Sequence, residues 1–188
     1  MKGYKMITYS QAQSNQELHE ILELQKRNLP ARLTSEEKIT EGFVTVQHEL
    51  PLLQEMNTRC AHTLAKMGDT VVGYALSMHL DFKDELPVLV PMFKEIERSI
   101  ELGLLPLKNK NSYIIMGQIC IDKIYRKQGV FRSLYKYMLQ NIQPEFTTII
   151  TEVDATNSRS LEAHSAIGFT LMSRYNSGGQ DWELLYLQ

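Results

Sequence analysis

The sequence lacks the features that would direct it to a polyanion, a membrane or an oxidising compartment. Its 188 residues carry 20 Lys and Arg against 22 Asp and Glu, so no excess of positive charge favours nucleic acid or an anionic membrane as a partner. No apolar run approaches the roughly 20 residues of a membrane span, and the first residues lack the apolar core of a signal peptide. The two cysteines, Cys60 and Cys120, lie in separate strand-like segments without disulfide or metal-ligand spacing. We expect a single cytoplasmic domain over residues 1–188 with no metal site.

The two common phosphate-binding motifs are also missing. The chain contains neither GxxxxGK[ST] nor a GxGxxG with an acidic residue downstream. Any phosphate site must therefore be a local one, made by another kind of loop.

The periodicity of apolar residues predicts a mixed α/β chain. Ser14 with Glu17 and Thr34 with Glu37 have capping-box spacing for two early helices, and residues 49–56 are compatible with a third. The remaining elements are predicted in chain order as strands at 7–12, 60–67 and 70–80, a helix at 85–104, a strand at 112–121, a helix after Gly129, a strand at 147–153, a helix at 157–167, and strands at 169–175 and 181–187. The strand-helix-strand unit at 112–153 predicts a parallel strand pair.

The stretch IDKIYRKQGVF, residues 121–131, is the main candidate for a binding loop. It joins a strand to a helix, where backbone N–H groups and the helix dipole favour an anion. Gly129 would let a phosphate approach the backbone closely, and Arg126 and Lys127 would add positive charge. Taken alone, the same residues also fit a solvated basic turn.

This loop resembles the acyl-CoA signature [QR]-x-x-G-x-[GA] of the GNAT superfamily of N-acetyltransferases. Arg126 and Gly129 match the signature, and Tyr125-Arg126 matches a frequent Tyr-Arg pair of the family. Phe131 stands where Gly or Ala is usual. A second element, EVDATNSRSLEAHSAIGF at 152–169, resembles the family pattern N-x-x-[AS]-x-x-x-Y-x-x-x-G-F through Asn157, Ser160, Gly168 and Phe169, with His164 in place of Tyr.

The resemblance implies the GNAT fold class, a mixed and mostly antiparallel sheet with a splayed parallel pair of central strands and flanking helices. It also implies acetyl-CoA as co-substrate, without a metal. The residues expected to bind the pantetheine or the pyrophosphate are Ile119, Cys120, Ile121, Arg126, Lys127, Gln128, Gly129, Val130, Phe131, Arg132, Asn157 and Ser160.

Two residues are expected to carry the chemistry by the same resemblance. Glu152 stands in EVxxxN, where ribosomal-protein-type N-terminal acetyltransferases place the base; the alternative is a carboxylate with a local hydrogen bond. His164 would donate a proton to the leaving sulfur; the alternative is a histidine held by its own helix. Asp154 is a weaker candidate base. Cys120 could support an acyl-enzyme, but core packing is favoured because no histidine partner adjoins it.

The predicted function is acetyl transfer from acetyl-CoA to a primary amine of a small molecule or peptide. The acceptor is expected between residues 34–56, the 80–105 segment and the C-terminal strands. Superfamily members are often dimers, which allows a homodimer here, although no patch in the sequence requires one. The competing functions are a non-catalytic acyl-CoA-binding module and a phosphate-binding α/β protein.

Overall fold

A computed structural model describes residues 6–29, 32, 44, 46–105, 107 and 111–188. The predicted capping box at Thr34 and Glu37 lies outside these residues. Within the described chain the strands are β1 Ile7–Gln11, β2 Thr63–Met67, β3 Thr70–Met78, β4 Tyr113–Ile121, β5 Thr148–Asp154, β6 Thr170–Ser177 and β7 Gln180–Leu187. The α-helices there are α1 Asn15–Arg27, α2 Leu50–Arg59, α3 Val90–Glu101, α4 Val130–Ile142 and α5 Ser158–Ser165.

The seven strands form one sheet in the order β1-β2-β3-β4-β5-β7-β6. β4 and β5 are parallel, with Tyr113–Ile115 paired to Thr148–Ile150. β1 with β2, β2 with β3, β5 with β7, and β6 with β7 are antiparallel. The predicted mixed, mostly antiparallel sheet with a parallel strand pair is confirmed. The described chain contains no helix long and apolar enough to cross a bilayer.

The chain divides into two compact units, Met1–Ser77 with Gly117–Asn141, and Met78–Met116 with Ile142–Gln188. In the first unit, successive strand residues enter different apolar clusters, because side chains alternate between the two faces of a strand. Leu64 joins a cluster with Ile21 of α1 and Leu53 of α2. Its neighbour Ala65 joins a second cluster with Leu134 of α4. Helices therefore pack on both faces of this part of the sheet.

The capping box predicted at Ser14 is confirmed in the first unit. The Ser14 hydroxyl accepts from the Glu17 N–H at 3.3 Å, and the Glu17 carboxylate accepts from the Ser14 N–H at 3.0 Å. These bonds satisfy N–H groups that the start of a helix leaves without partners.

In the second unit, α3 begins later than the predicted residue 85. Residues 80–82 and 87–89 form short 3-10 turns, and α3 starts at Val90 with Pro91 in its first turn. A proline is tolerated there because that position has no intrahelical N–H bond to lose. The helix ends at Glu101, close to the predicted residue 104. Gly103 has φ of 70° and donates to the carbonyl of Ile100, and Leu104 donates to that of Ser99.

Candidate active site

The turn after β4 is held by backbone and side-chain hydrogen bonds of Asp122. Its N–H donates to the Val72 carbonyl at 2.9 Å, and its carboxylate accepts from the Ile124 N–H at 3.3 Å. The same carboxylate pairs with Arg27 of α1 at 3.2 Å. The position of the following loop is therefore set by β3 and α1.

The loop then takes a backbone conformation suited to an anion. Lys127 has φ of 60° and Gly129 has φ of 79°. Within the described residues, the N–H groups of Lys127, Gln128 and Gly129 have no acceptor, and α4 begins at the next residue. A Cβ added to Gly129 would meet no heavy atom within 4 Å. Successive unpaired N–H groups beside a helix N-terminus form a concave site of positive potential.

Arg126 is engaged with the protein, although the sequence predicted it at the rim of the anion site. Its Nε donates to the Ile121 carbonyl at 2.9 Å, and its Nη2 donates to Asn28 Oδ1 at 2.7 Å. Gln128 also turns back, donating to the Ile124 carbonyl at 2.8 Å. These side chains brace the turn, so the exposed N–H groups are the main feature available to a ligand.

Phe131, the residue that departs from the family signature, packs along its own helix. Its ring meets that of Tyr135 edge-on, with centroids 5.1 Å apart. Val130 beside it is almost fully buried, whereas Arg132 is exposed. A ring directed along α4 is compatible with a backbone N–H group open to a phosphate.

The end of β4 sends neighbouring side chains to different faces. Cys120 belongs to the cluster under α1, whereas Ile119 and Ile121 pack with Val130 of α4. Burial raises the pKa of the Cys120 thiol to about 12. A thiol that keeps its proton is a poor nucleophile, which supports the packing role favoured from the sequence.

Glu152 lies on β5 and is bonded by a residue that the sequence reasoning missed. Tyr175 of β6 donates its phenolic hydrogen to the Glu152 carboxylate. Burial raises the pKa of Glu152 to about 7, while the bond from Tyr175 opposes that shift. Burial and the charge of Glu152 raise the pKa of Tyr175, so the phenol keeps its proton. The carboxyl is therefore able to exchange a proton near neutrality.

Helix α3 packs against β6 close to this pair. Ser99 donates to Ser173 at 3.5 Å, and the buried Glu95 contributes to the raised pKa of Tyr175. Arg98 pairs with Glu95 at 3.3 Å. No motif in the sequence could have linked α3 to Glu152, since the connection passes through Tyr175.

His164 is bonded to its own helix. Its Nδ1 lies 2.7 Å from the Ser160 carbonyl oxygen, and its ring meets Phe169 edge-on at 5.0 Å. Because a carbonyl can only accept, Nδ1 carries the hydrogen, and in the neutral ring Nε2 does not. Burial lowers the pKa of His164 to about 4. This geometry fits the alternative interpretation, a histidine satisfied within its helix.

Asn157 and Asp154 both stabilise the start of α5. Asn157 Oδ1 accepts from the Ser160 N–H at 3.1 Å, which makes Asn157 the N-cap of α5. Asp154 Oδ1 accepts from Thr156 N at 2.7 Å and from Gln180 Nε2 at 2.8 Å. These bonds give Asp154 a structural role and leave Glu152 as the candidate base.

A buried polar network around Gln118 of β4 was not expected from the sequence. Gln118 Oε1 accepts from Tyr74 at 2.6 Å and from Gln25 at 2.6 Å, and its Nε2 donates to the Val46 carbonyl at 2.8 Å. Gln25 in turn bonds the ring of His48 at 2.9 Å. The network fixes β4 at the residue before the predicted pantetheine contacts.

The predicted site residues thus form two sets, each with its own internal bonds. The loop set, residues 119–121 and 126–132, lies in the first unit. In the second unit, Asn157, Ser160 and His164 are joined by hydrogen bonds on α5, whereas Glu152 is bonded to Tyr175.

Solved structures with the same fold are N-acetyltransferases and related proteins. The ribosomal-protein-S18-alanine N-acetyltransferase from Escherichia coli matches with a TM-score of 0.61 at 14% identity, over 97% of this chain and 93% of that one. Salmonella typhimurium yncA, solved with its cofactor acetyl-CoA, matches with a TM-score of 0.62 at 11% identity, over 97% and 94%. A chain of the NatC complex bound to Gag peptide and CoA matches with a TM-score of 0.63 at 16% identity, over 96% and 97%.

No protein-family model and no curated protein matches the sequence. At these identities the structural likeness concerns the fold. The chain has the fold of the GNAT acetyltransferases, as the two sequence motifs indicated.

Proposed function

We propose that this protein is an N-acetyltransferase that transfers the acetyl group of acetyl-CoA directly to a primary amine. The single observation that carries the proposal is Glu152, a largely buried carboxyl with a pKa of about 7 and a hydrogen bond from Tyr175. The GNAT fold and the anion-suited loop support it.

The loop fits the pyrophosphate of acetyl-CoA. Its N–H donors, the open space at Gly129 and the N-terminus of α4 suit a doubly charged, oxygen-rich group. We assign the pyrophosphate to residues 126–132 and the pantetheine to residues 119–121. When bound, the cofactor supplies an activated acetyl thioester.

Glu152 takes the proton that the acceptor ammonium must lose before its nitrogen can attack. A carboxylate with a pKa near the working pH is available as a base and accepts a proton readily. In the overall reaction a C–N bond forms and the C–S bond breaks. One proton leaves the ammonium through Glu152 and the second ends on the CoA thiol.

His164 was predicted to protonate the leaving sulfur. In the neutral ring the one N–H, at Nδ1, is bonded to the Ser160 carbonyl. Burial lowers the pKa to about 4, so Nε2 carries no proton for the leaving sulfur at neutral pH. We therefore propose that His164 positions α5.

The single-domain organisation, the homodimer and the cytoplasmic location stay predictions.

The test is release of free CoA thiol from acetyl-CoA across amino acids, oligoamines, aminoglycosides and peptides with free N-termini. We expect turnover with at least one amine class, and Glu152→Gln should reduce kcat by about 10²–10⁴-fold. Exposed Glu162→Gln on α5 serves as the matched control. Binding of acetyl-CoA without thiol release over the whole panel would favour the non-catalytic module instead.

A further inference from the structure

The second unit contains a cavity of about 450 Å³ whose lining includes none of the residues assigned to acetyl-CoA or to the base. It is lined by the 3-10 turn at residues 80–82 and the residues after it, by α3, and by the start of β4. Its volume lies within the roughly 300–1,000 Å³ typical of small-molecule sites. The chemistry of its lining differs between floor and rim.

The rim of the cavity is acidic. Four carboxylates, Asp81, Asp84, Glu97 and Glu101, and one cation, Lys83, line it, and all five side chains are exposed. Asp81 is already paired with His79 at 2.8 Å. The excess of negative charge favours a cationic ligand.

The floor of the cavity is apolar and aromatic. Phe93 and Tyr113 line it with relative exposures of only 5% and 4%. Leu80 and Ile100 add aliphatic surface. An aromatic face attracts an ammonium group, and the apolar floor suits a methylene chain.

The hydroxyl of Tyr113 supplies an independent indication of a ligand. Among the described residues no hydrogen bond of this hydroxyl is found, and only 4% of the residue is exposed. Burial and the charge of Glu97 raise its pKa to about 12, and both residues line the cavity. A protonated hydroxyl in the lining, near the charge of Glu97, is suited to accept a hydrogen bond from a bound ammonium group.

The spacing of the carboxylates around the cavity indicates whether a metal ion or an organic cation would fit. Among the described residues, no three His, Cys, Asp or Glu side chains converge closely enough to hold a metal ion. A divalent metal needs several oxygens at one point. Dispersed carboxylates around an apolar floor instead match an elongated cation with charges at both ends.

We propose that this cavity binds linear alkylamines that carry two or more ammonium groups. Its acids contact the ammonium groups, and Phe93 and Ile100 contact the carbon chain between them. The proposal concerns binding alone and stands independently of acetyl transfer.

The test is titration calorimetry of the full chain without acetyl-CoA, using spermidine, 1,4-diaminobutane, n-butylamine and Mg²⁺. We expect spermidine and the diamine to bind at least tenfold more tightly than n-butylamine, and Mg²⁺ more weakly than spermidine. Glu97→Gln combined with Glu101→Gln should weaken spermidine at least tenfold. The control, Glu55→Gln combined with Glu162→Gln, changes net charge equally at exposed positions on α2 and α5 and should change affinity less than twofold.

Tyr113→Phe provides a second, structurally mild variant, since it removes only a hydroxyl for which the described residues offer no hydrogen bond. It should weaken spermidine at least threefold and leave the thermal midpoint unchanged. Equal effects of the two double variants, absence of spermidine binding, or equal affinity for n-butylamine and the diamine would each overturn the proposal.

Discussion

The phenol of Tyr175 donates a hydrogen bond to the carboxylate of Glu152, which burial leaves with a pKa of about 7. Two opposing influences act on this carboxyl, because burial disfavours its charge and the bond from Tyr175 favours it. The fold thereby places a proton acceptor at a pKa that a surface glutamate does not reach.

Tyr175→Phe should move the activity of Glu152 to higher pH. The bond from Tyr175 stabilises the charged form, so its loss raises the pKa of Glu152 above about 7. If Glu152 acts as a base, the rate falls as pH decreases through its pKa. The acid limb of the pH profile of kcat should therefore shift upward in Tyr175→Phe. Tyr137→Phe on α4 is the control. An unchanged acid limb in Tyr175→Phe would show that Glu152 is not the base in the rate-determining proton transfer.

Gly129→Ala should weaken the binding of CoA and destabilise the loop. Its φ of 79° costs an L-residue about 1–2 kcal/mol, and the added methyl group would occupy space assigned to the pyrophosphate. Gly103→Ala is a matched control, because φ there is 70° and the Cβ also meets nothing within 4 Å. Both variants should lose similar free energy of unfolding, measured with urea, and only Gly129→Ala should lose affinity for CoA. Equal affinities in the two variants would place the pyrophosphate elsewhere.

Loss of Gln118 should destabilise the protein more than loss of the Tyr74 hydroxyl. Tyr74→Phe leaves Gln118 with the bond from Gln25, so we expect a cost of about 1 kcal/mol. Gln118→Leu removes the acceptor for Tyr74 and Gln25 and the donor to Val46, at a cost of about 2–4 kcal/mol. Free energies of unfolding from urea titrations test this order. A larger loss in Tyr74→Phe would mean that the network is held mainly by the tyrosine.

The folded protein should lose stability as pH falls from 6.5 toward 4. Burial lowers the pKa of His48 to about 4, of His62 to about 3 and of His164 to about 4. In that range the unfolded chain binds more protons than the folded chain, so acid favours unfolding. Glu152 acts in the opposite sense, because its folded pKa lies above the unfolded value and its contribution is lost as pH rises through about 7.

Glu152→Gln therefore isolates the contribution of the three histidines. Its free energy of unfolding should fall more steeply between pH 6.5 and 5 than that of the unsubstituted protein, as measured by urea titration at each pH. A stability that is flat or rises in acid would show that the pKa values of these histidines are not lower in the folded chain than in the unfolded chain.

The sequence by itself determined the features that depend on neighbours in the chain. The capping box of Ser14 with Glu17, the cap at Asn157 and the end of α3 at Gly103 are made between residues a few positions apart. The strand positions followed from apolar alternation, and the loop at Gly129 was found through its spacing. The early start predicted for α3 failed because the prolines favour short turns before the helix.

Only the tertiary structure decided which polar groups meet. Tyr175 lies 23 positions from Glu152, and Gln25 lies 93 positions from Gln118, so no local pattern could pair them. The same holds for Arg126, whose guanidinium donates to Asn28, 98 positions away in the sequence, and so stabilises the loop. Strand order and burial set these contacts, and burial is what turns an ordinary glutamate into a group with a pKa of about 7.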